Sequence, residues 1–172
     1  ATLLLGENRA GASTCAGFAD MLGGEGTMLR ELHLGWSEIS AEGAVLIESL
    51  THNSMMTALD LSWCGLEERA ACAMGEVLRR NCALLHVKLD HNRIGSEGAI
   101  VIASGLSANA TLESIELSWN PLGKRGLAIL LKRGAAPGRT LTINNVQPTL
   151  DLPPRRPFDE VSPGGHDNLV GR

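Results

Sequence analysis

The stretch Leu84-Leu85-His86-Val87-Lys88-Leu89-Asp90-His91-Asn92-Arg93-Ile94-Gly95 decides the fold of this chain. Apolar residues stand at Leu84, Val87, Leu89 and Ile94, with Asn92 between the last two. Val87 and Leu89 are two apart, so on a strand both point to one face. Asn92 falls where the strand must turn, and its amide can satisfy backbone groups that a turn leaves open. Ile94 then brings the chain back to the core.

The pattern returns at Leu29/Leu32/Leu34/Ile39, at Met56/Leu59/Leu61/Leu66 and at Leu112/Ile115/Leu117/Leu122. A partial copy opens the chain at Leu3/Leu5/Asn8, and a degenerate one closes it at Leu141/Ile143/Val146. Counted from the second apolar position, the repeats start at 3, 32, 59, 87, 115 and 141, in steps of 29, 27, 28, 28 and 26. Steps this even define a repeat protein, whose core is buried unit by unit. The spacing predicts strands at Leu3–Leu5, Glu31–Leu34, Thr57–Leu61, His86–Leu89 and Ser114–Leu117. It predicts helices at Ser13–Leu22, Ala41–Thr51 with Ser40 as N-cap, Glu67–Arg80, Ser96–Ser107 and Lys124–Arg133.

Further residues recur in step. Asn53, Asn81 and Asn109 precede each next strand pattern by three residues, with Gly26 in the same slot of the first repeat. Asparagine tolerates the left-handed conformation that ends a helix, so each is expected to be a C′ residue. Gly43, Gly98 and Gly126 share another slot, held by Ala70 in the third repeat. A small side chain there is expected to let the helix lie close against the strand layer. A third ladder reads Asn8, Ser37, Cys64, Asn92, Asn120 and Val146. The loss of polarity at Val146 predicts the end of the solenoid.

Repeats of about 28 residues with Glu42-Gly43-Ala44 and Glu97-Gly98-Ala99 at the helix start resemble the ribonuclease-inhibitor-type leucine-rich repeats. Leu59-Asp60-Leu61-Ser62-Trp63 and Leu117-Ser118-Trp119-Asn120-Pro121-Leu122 are similar to intracellular leucine-rich-repeat proteins of animals and flagellated protists, several linked to cilia and flagella. The resemblance spans residues 1–147. It implies an α/β fold, a right-handed solenoid with parallel strands on the concave face and helices on the convex face. It also implies a cytoplasmic, non-enzymatic scaffold that binds other proteins in a multi-subunit complex, with the axoneme as its implied place. The same repeats occur in NOD-like receptors and in the GTPase-activating protein of Ran. The other reading is therefore a regulator of another enzyme, as a GTPase activator or a wrapping inhibitor. The long acidic tail of the Ran regulator has no counterpart here.

Composition narrows the classes. The length of 172 residues suits one domain, and 3% aromatic residues with no tyrosine predicts an aliphatic core. A net charge of −4 leaves no footprint for nucleic acid, and no basic run marks a membrane surface. No apolar stretch approaches the ~18 residues of a membrane span. The chain starts with Ala1, inside a repeat, which predicts a piece of a longer protein. No glycine-rich loop precedes a lysine, His86 and His91 lack further metal ligands in the pattern, and nothing places a nucleophile beside a base. No cofactor, metal or catalytic residue is expected. Cys15, Cys64, Cys72 and Cys82 form no CxxC pair and are expected to be buried free thiols of a reducing compartment. Asn109-Ala110-Thr111 matches a glycosylation acceptor, a match that matters only in a secreted protein.

Strand alternation places Leu4, His33, Asp60, Lys88, Glu116 and Thr142 in the middle outward column of the concave face. Asp60, Lys88 and Glu116 then stand ~4.8 Å apart on adjacent strands. They form either a self-neutralising row or a polar recognition strip. Trp36, Trp63, His91 and Trp119 all lie two residues after the last strand leucine and are expected to stack as a ladder along the strand-to-loop edge. Either the ladder packs on itself alone, or it forms an aromatic rim that docks a partner. The candidate protein-binding residues are therefore Trp36, Trp63, His91, Trp119, His33, Asp60, Lys88 and Glu116.

Composition changes after residue 147. The stretch 148–172 holds five of the seven prolines and is read as a Pro-rich tail. Leu150, Leu152, Phe158 and Val161 suit it to cover the last repeat. Free disorder and a polyproline ligand at Pro153-Pro154-Arg155-Arg156-Pro157 are the other readings.

Overall fold

A computed structural model of the chain describes residues 1–8, 11–24 and 27–144. Six three-residue strands form one parallel sheet in chain order: β1 Thr2–Leu4, β2 Glu31–His33, β3 Ala58–Asp60, β4 His86–Lys88, β5 Ser114–Glu116 and β6 Thr140–Thr142. Leu3, Leu32, Leu59, Val87, Ile115 and Leu141 stand opposite one another across the sheet. From Leu32 to Ile115 these residues are at most 1% exposed. The leucine period is therefore the sheet register. Helices α1 Ala12–Gly23, α2 Gly43–Glu48, α3 Glu68–Arg80, α4 Ser96–Ala108 and α5 Gly123–Arg133 return the chain from each strand to the next. Strands stack at about 4.8 Å and helices at roughly 8–10 Å, so a stack of such units must bend with its strands inside. Among the described residues, no helix is long and apolar enough to cross a membrane.

Helix α2 is shorter than the spacing predicts. One-turn 3-10 segments, Ser40–Glu42 and Ser49–Thr51, flank it. The hydroxyls of Ser49 and Thr51 donate to the carbonyls of Leu46 and Glu48, three residues back, and tighten the last turn. Ser40 is not the expected N-cap: it makes no capping bond and adopts a left-handed φ of 47°.

The two asparagine ladders are polar staples between repeats. Asn92 Nδ2 donates to the carbonyls of Leu61, Leu89 and Asp90, while its Oδ1 accepts from the N–H groups of Cys64 and Leu66. Asn120 does the same one repeat on, toward Leu89, Leu117, Ser118 and Ile94. Cys64 keeps part of that role through its thiol, which donates to Leu34 O and Ser62 O. Ser37 is too short, and its buried hydroxyl has no partner. Val146, the last member, lies outside the described residues, as do Gly26 and the tail readings for 148–172.

The expected left-handed conformation of Asn53, Asn81 and Asn109 is overturned. Asn81 and Asn109 are extended, with φ/ψ of −77°/129° and −87°/132°, and Asn53 is not among the positive-φ residues. Their value lies in the amide. Each Oδ1 accepts from N–H groups two and three residues on. Each Nδ2 donates to the helix end one repeat back: to Leu22 O, to Leu50 O and Asn53 O, and to Leu78 O and Asn81 O. Arg139 continues the series, donating to Leu106 O and Asn109 O where the repeat spacing would ask for a fourth asparagine. Burial lowers the pKa of its guanidinium from the ordinary value. Asn109 is 9% exposed with both amide atoms engaged, so it is no accessible glycosylation acceptor here.

The shared glycine slot faces the neighbouring repeat and also the core residue that follows the strand of its own repeat, Ile39 beside Gly43 and Ile94 beside Gly98. A Cβ on Gly98 would stand 2.6 Å from Ala71 Cβ, and one on Gly126 2.8 Å from Ala99 Cβ. Gly17, inside α1, has nothing within 4 Å of a Cβ. Gly17→Ala is therefore expected to stabilise the protein by about 0.5–1 kcal/mol, since glycine in a helix costs that much relative to alanine. Thermal unfolding checks this, and a lowered midpoint would show that α1 needs the space.

The expectation of four buried thiols holds for Cys15 and Cys64 only. Cys72 is half-buried and Cys82 exposed, and none of the four forms a disulfide. Desolvation raises the pKa of Cys15, with Glu42 adding to it. Desolvation also raises that of Cys72, helped by Glu68, Glu76 and Glu97. Burial therefore makes both weaker nucleophiles than a free thiol at neutral pH.

Candidate protein-docking surface

Strand register lines up the middle outward column Leu4, His33, Asp60, Lys88, Glu116 and Thr142 across six strands. Asp60 is its centre. One carboxylate oxygen accepts from the N–H and hydroxyl of Ser62, at 3.0 and 2.6 Å. The other lies 3.7 Å from His33 Nδ1 and 3.9 Å from Lys88 Nζ. In the column beside it, His86 Nδ1 meets Ser114 Oγ at 2.9 Å and Thr2 donates to Glu31. The row is partly self-neutralising, as one reading expects. Lys88 is 57% exposed, and a pair of that kind contributes about 0–1 kcal/mol.

The ladder forms. Trp36 and Trp63 stack with ring centroids 4.1 Å apart, Trp63 and His91 at 3.9 Å, and His91 and Trp119 at 5.3 Å, with interplanar angles of 11°, 13° and 19°. His91 Nδ1 lies 2.8 Å from Asp90 Oδ2, which ties the stack to the outward column after the strand leucines. Trp36, Trp63 and His91 are half-buried, and Trp119 is 38% exposed. All eight predicted residues thus lie on one continuous surface, formed by the concave strands and the edge where they turn into loops.

The ring positions share an unusual backbone conformation. Trp36, Trp63, His91 and Trp119 have φ of 63°, 57°, 54° and 57°, and Glu7 in the same slot has 62°. Each N–H donates to a carbonyl of the next repeat: Ser62, Asp90, Ser118, Asn144 and Gly35, respectively. The turn therefore demands the left-handed region, which costs an ordinary residue roughly 1–2 kcal/mol. A stacked aromatic pair returns about 0.5–1.5 kcal/mol. The two magnitudes match, so stacking alone does not account for aromatic residues in a slot that glycine fills without strain. The only signal in the sequence was the shared slot itself.

Among the described residues, no group of three or more His, Cys, Asp or Glu is placed to hold a metal ion.

A family model described as leucine-rich repeat matches residues 27–47, 52–69, 80–103 and 108–130, half of the chain. Leucine-rich repeat-containing protein 45 of Gallus gallus is 32% identical over 139 residues, covering 77% of this chain and 21% of its own length. NACHT, LRR and PYD domains-containing protein 12 of Mus musculus is 32% identical over 117 residues, 67% of this chain and 11% of its own. The chain thus spans about a fifth or less of these curated relatives. Among solved structures, leiomodin-1 actin-binding site 2 superposes with a TM-score of 0.58 at 17% identity, covering 74% of this chain and 77% of that one. That likeness concerns the fold alone. Repeat spacing, sheet register and family match agree: this chain belongs to the leucine-rich repeat family.

Proposed function

We propose that this chain is a protein–protein docking module, a scaffold subunit of a larger intracellular assembly, and that its contact surface is the aromatic ladder with the adjoining concave column. One observation carries the reading. Aromatic rings occupy four successive left-handed positions where glycine would be free of strain, and they remain partly open to solvent. Strain retained at a repeated surface position points from geometry to function. Tryptophan is also the residue most suited to anchor a partner, with a large rigid area and one polar atom. The strings around Trp63 and Trp119 further resemble those of cilium-associated leucine-rich-repeat proteins, and we place the assembly on that side of the cell.

The test compares what the tagged chain captures from ciliated cells with what its variants capture. Trp119→Ala, at the exposed end of the stack, is expected to weaken capture about thirtyfold, the ~2 kcal/mol of an interface hot spot. Arg69→Glu, on helix α3 of the opposite face, is expected to change nothing. Equal capture by all three proteins sinks the reading.

A further inference from the structure

We infer that the seam between the concave strands and the aromatic ladder takes an arginine-rich segment of its partner. This rests on the docking surface proposed above and adds the chemistry of the occupant. The outward columns hold Glu31, Asp60, Asp90 and Glu116 against a single cation, Lys88. Asp60 faces His33 and Lys88 across the sheet, and Glu116 faces Lys88 and Thr142, so one solvated lysine serves two carboxylates and offsets little of their charge. Lys88 sits 3.9 Å from Asp60, at the outer limit of a pair, and its exposed side chain is free to swing away when a stronger cation arrives. The surface is therefore short of positive charge, and a partner supplies it.

The ladder decides which cation. Lysine offers a point charge to a carboxylate and nothing more specific. Arginine offers two parallel N–H groups to a carboxylate and a flat face that stacks on an aromatic ring. The seam presents both together: His91 bridges the Asp90 carboxylate, at 2.8 Å, to the stack on Trp63, at 3.9 Å. In the fifth repeat Glu116 and the exposed Trp119 lie three residues apart on the same strand-to-loop path. A guanidinium that pairs with the Glu116 carboxylate has the Trp119 indole as its stacking partner in this proposal.

Tryptophan fluorescence of the full chain reads the test, since all three tryptophans belong to the ladder. The probes are three synthetic peptides of equal length, alternating serine with arginine, lysine or glutamate. The arginine peptide is expected to shift the emission, to bind about fivefold tighter than the lysine peptide, and to weaken steeply with added salt. Asp60→Asn with Glu116→Gln is expected to weaken it about tenfold, asparagine keeping an acceptor for Ser62. Lys88→Ala is expected to tighten it, because a competing cation is gone. Equal binding of lysine and arginine, weaker binding by Lys88→Ala, or a signal indifferent to the carboxylate pair overturns the inference. So does a response to the glutamate peptide alone or to none of the three. If the arginine peptide fails while Trp119→Ala still loses the captured partners, the docking surface stands and only the chemistry assigned to its occupant falls.

Discussion

Gly105→Val is expected to lower the unfolding free energy by about 3 kcal/mol or more, the largest loss from any single added side chain in this solenoid. A Cβ at Gly105 would run into the carbonyl oxygen of Gly75, with the Gly75 carbonyl carbon at 3.0 Å and its Cα at 3.1 Å. A Cβ at Gly75 would in turn lie 2.6 Å from the carbonyl oxygen of Val101. Helices α3 and α4 thus meet backbone to backbone. A flexible side chain can move aside for a methyl group, but a helix backbone moves only as a unit. The ordinary cost of overpacking, about 1–3 kcal/mol, is therefore a lower bound here. Repeat proteins are held together by nearest-neighbour interfaces, so forcing this one apart also weakens the coupling between the two halves. Urea denaturation is expected to show a lower midpoint and a broader or two-step transition. A single transition at the native midpoint would mean that the two helices slide apart at no cost.

That contact also marks where reading by period reaches its limit. Leu32, Leu59, Val87 and Ile115 were legible because each performs the same task in its own repeat. Slots that recur announce themselves, and the sheet register, the helices and the ladder of rings all follow from them. Gly75 and Gly105 occupy different slots of successive repeats, so their meeting belongs to one interface and leaves no recurring trace. Arg139 is hidden for a related reason. It does an asparagine's work with another side chain, reaching the helix-end carbonyls from a different place in its repeat.

Recurrence also locates a residue better than it explains one. The asparagines at 53, 81 and 109 were expected to supply left-handed backbone, a property of asparagine in isolation. They supply an amide with a donor and an acceptor, and the turn between repeats uses both. The left-handed positions fall instead on Trp36, Trp63, His91 and Trp119, residues whose intrinsic preference argues against them. Hydrogen bonding from each of their N–H groups to the next repeat imposes that conformation. No propensity scale contains such a tertiary demand, which is why the geometry of the candidate surface was legible as a stack and not as a strained one.

Asn92→Ala is expected to cost about 3 kcal/mol or more. The substitution removes the side chain that serves three carbonyls and two N–H groups, all in the interior between the third and fourth repeats. Each buried group left without a partner costs about 1–3 kcal/mol, and water entering the gap recovers part of that total. The chain carries its own control. Asn8 occupies the same slot in the first repeat, is exposed, and donates to Leu5 O and Gly6 O. Water replaces those bonds when the side chain goes, so Asn8→Ala is expected to cost less than about 1 kcal/mol. Asn92→Asp separates donor from acceptor. The carboxylate keeps oxygens for Cys64 N and Leu66 N but turns a charge toward the carbonyls of Leu61 and Leu89. It is expected to destabilise more than alanine at neutral pH and to recover as the pH falls and the acid protonates. Denaturation of the three variants at two pH values settles the matter. If Asn8→Ala and Asn92→Ala cost the same, the ladder owes its recurrence to turn conformation, and the amide network between repeats contributes nothing to holding them together.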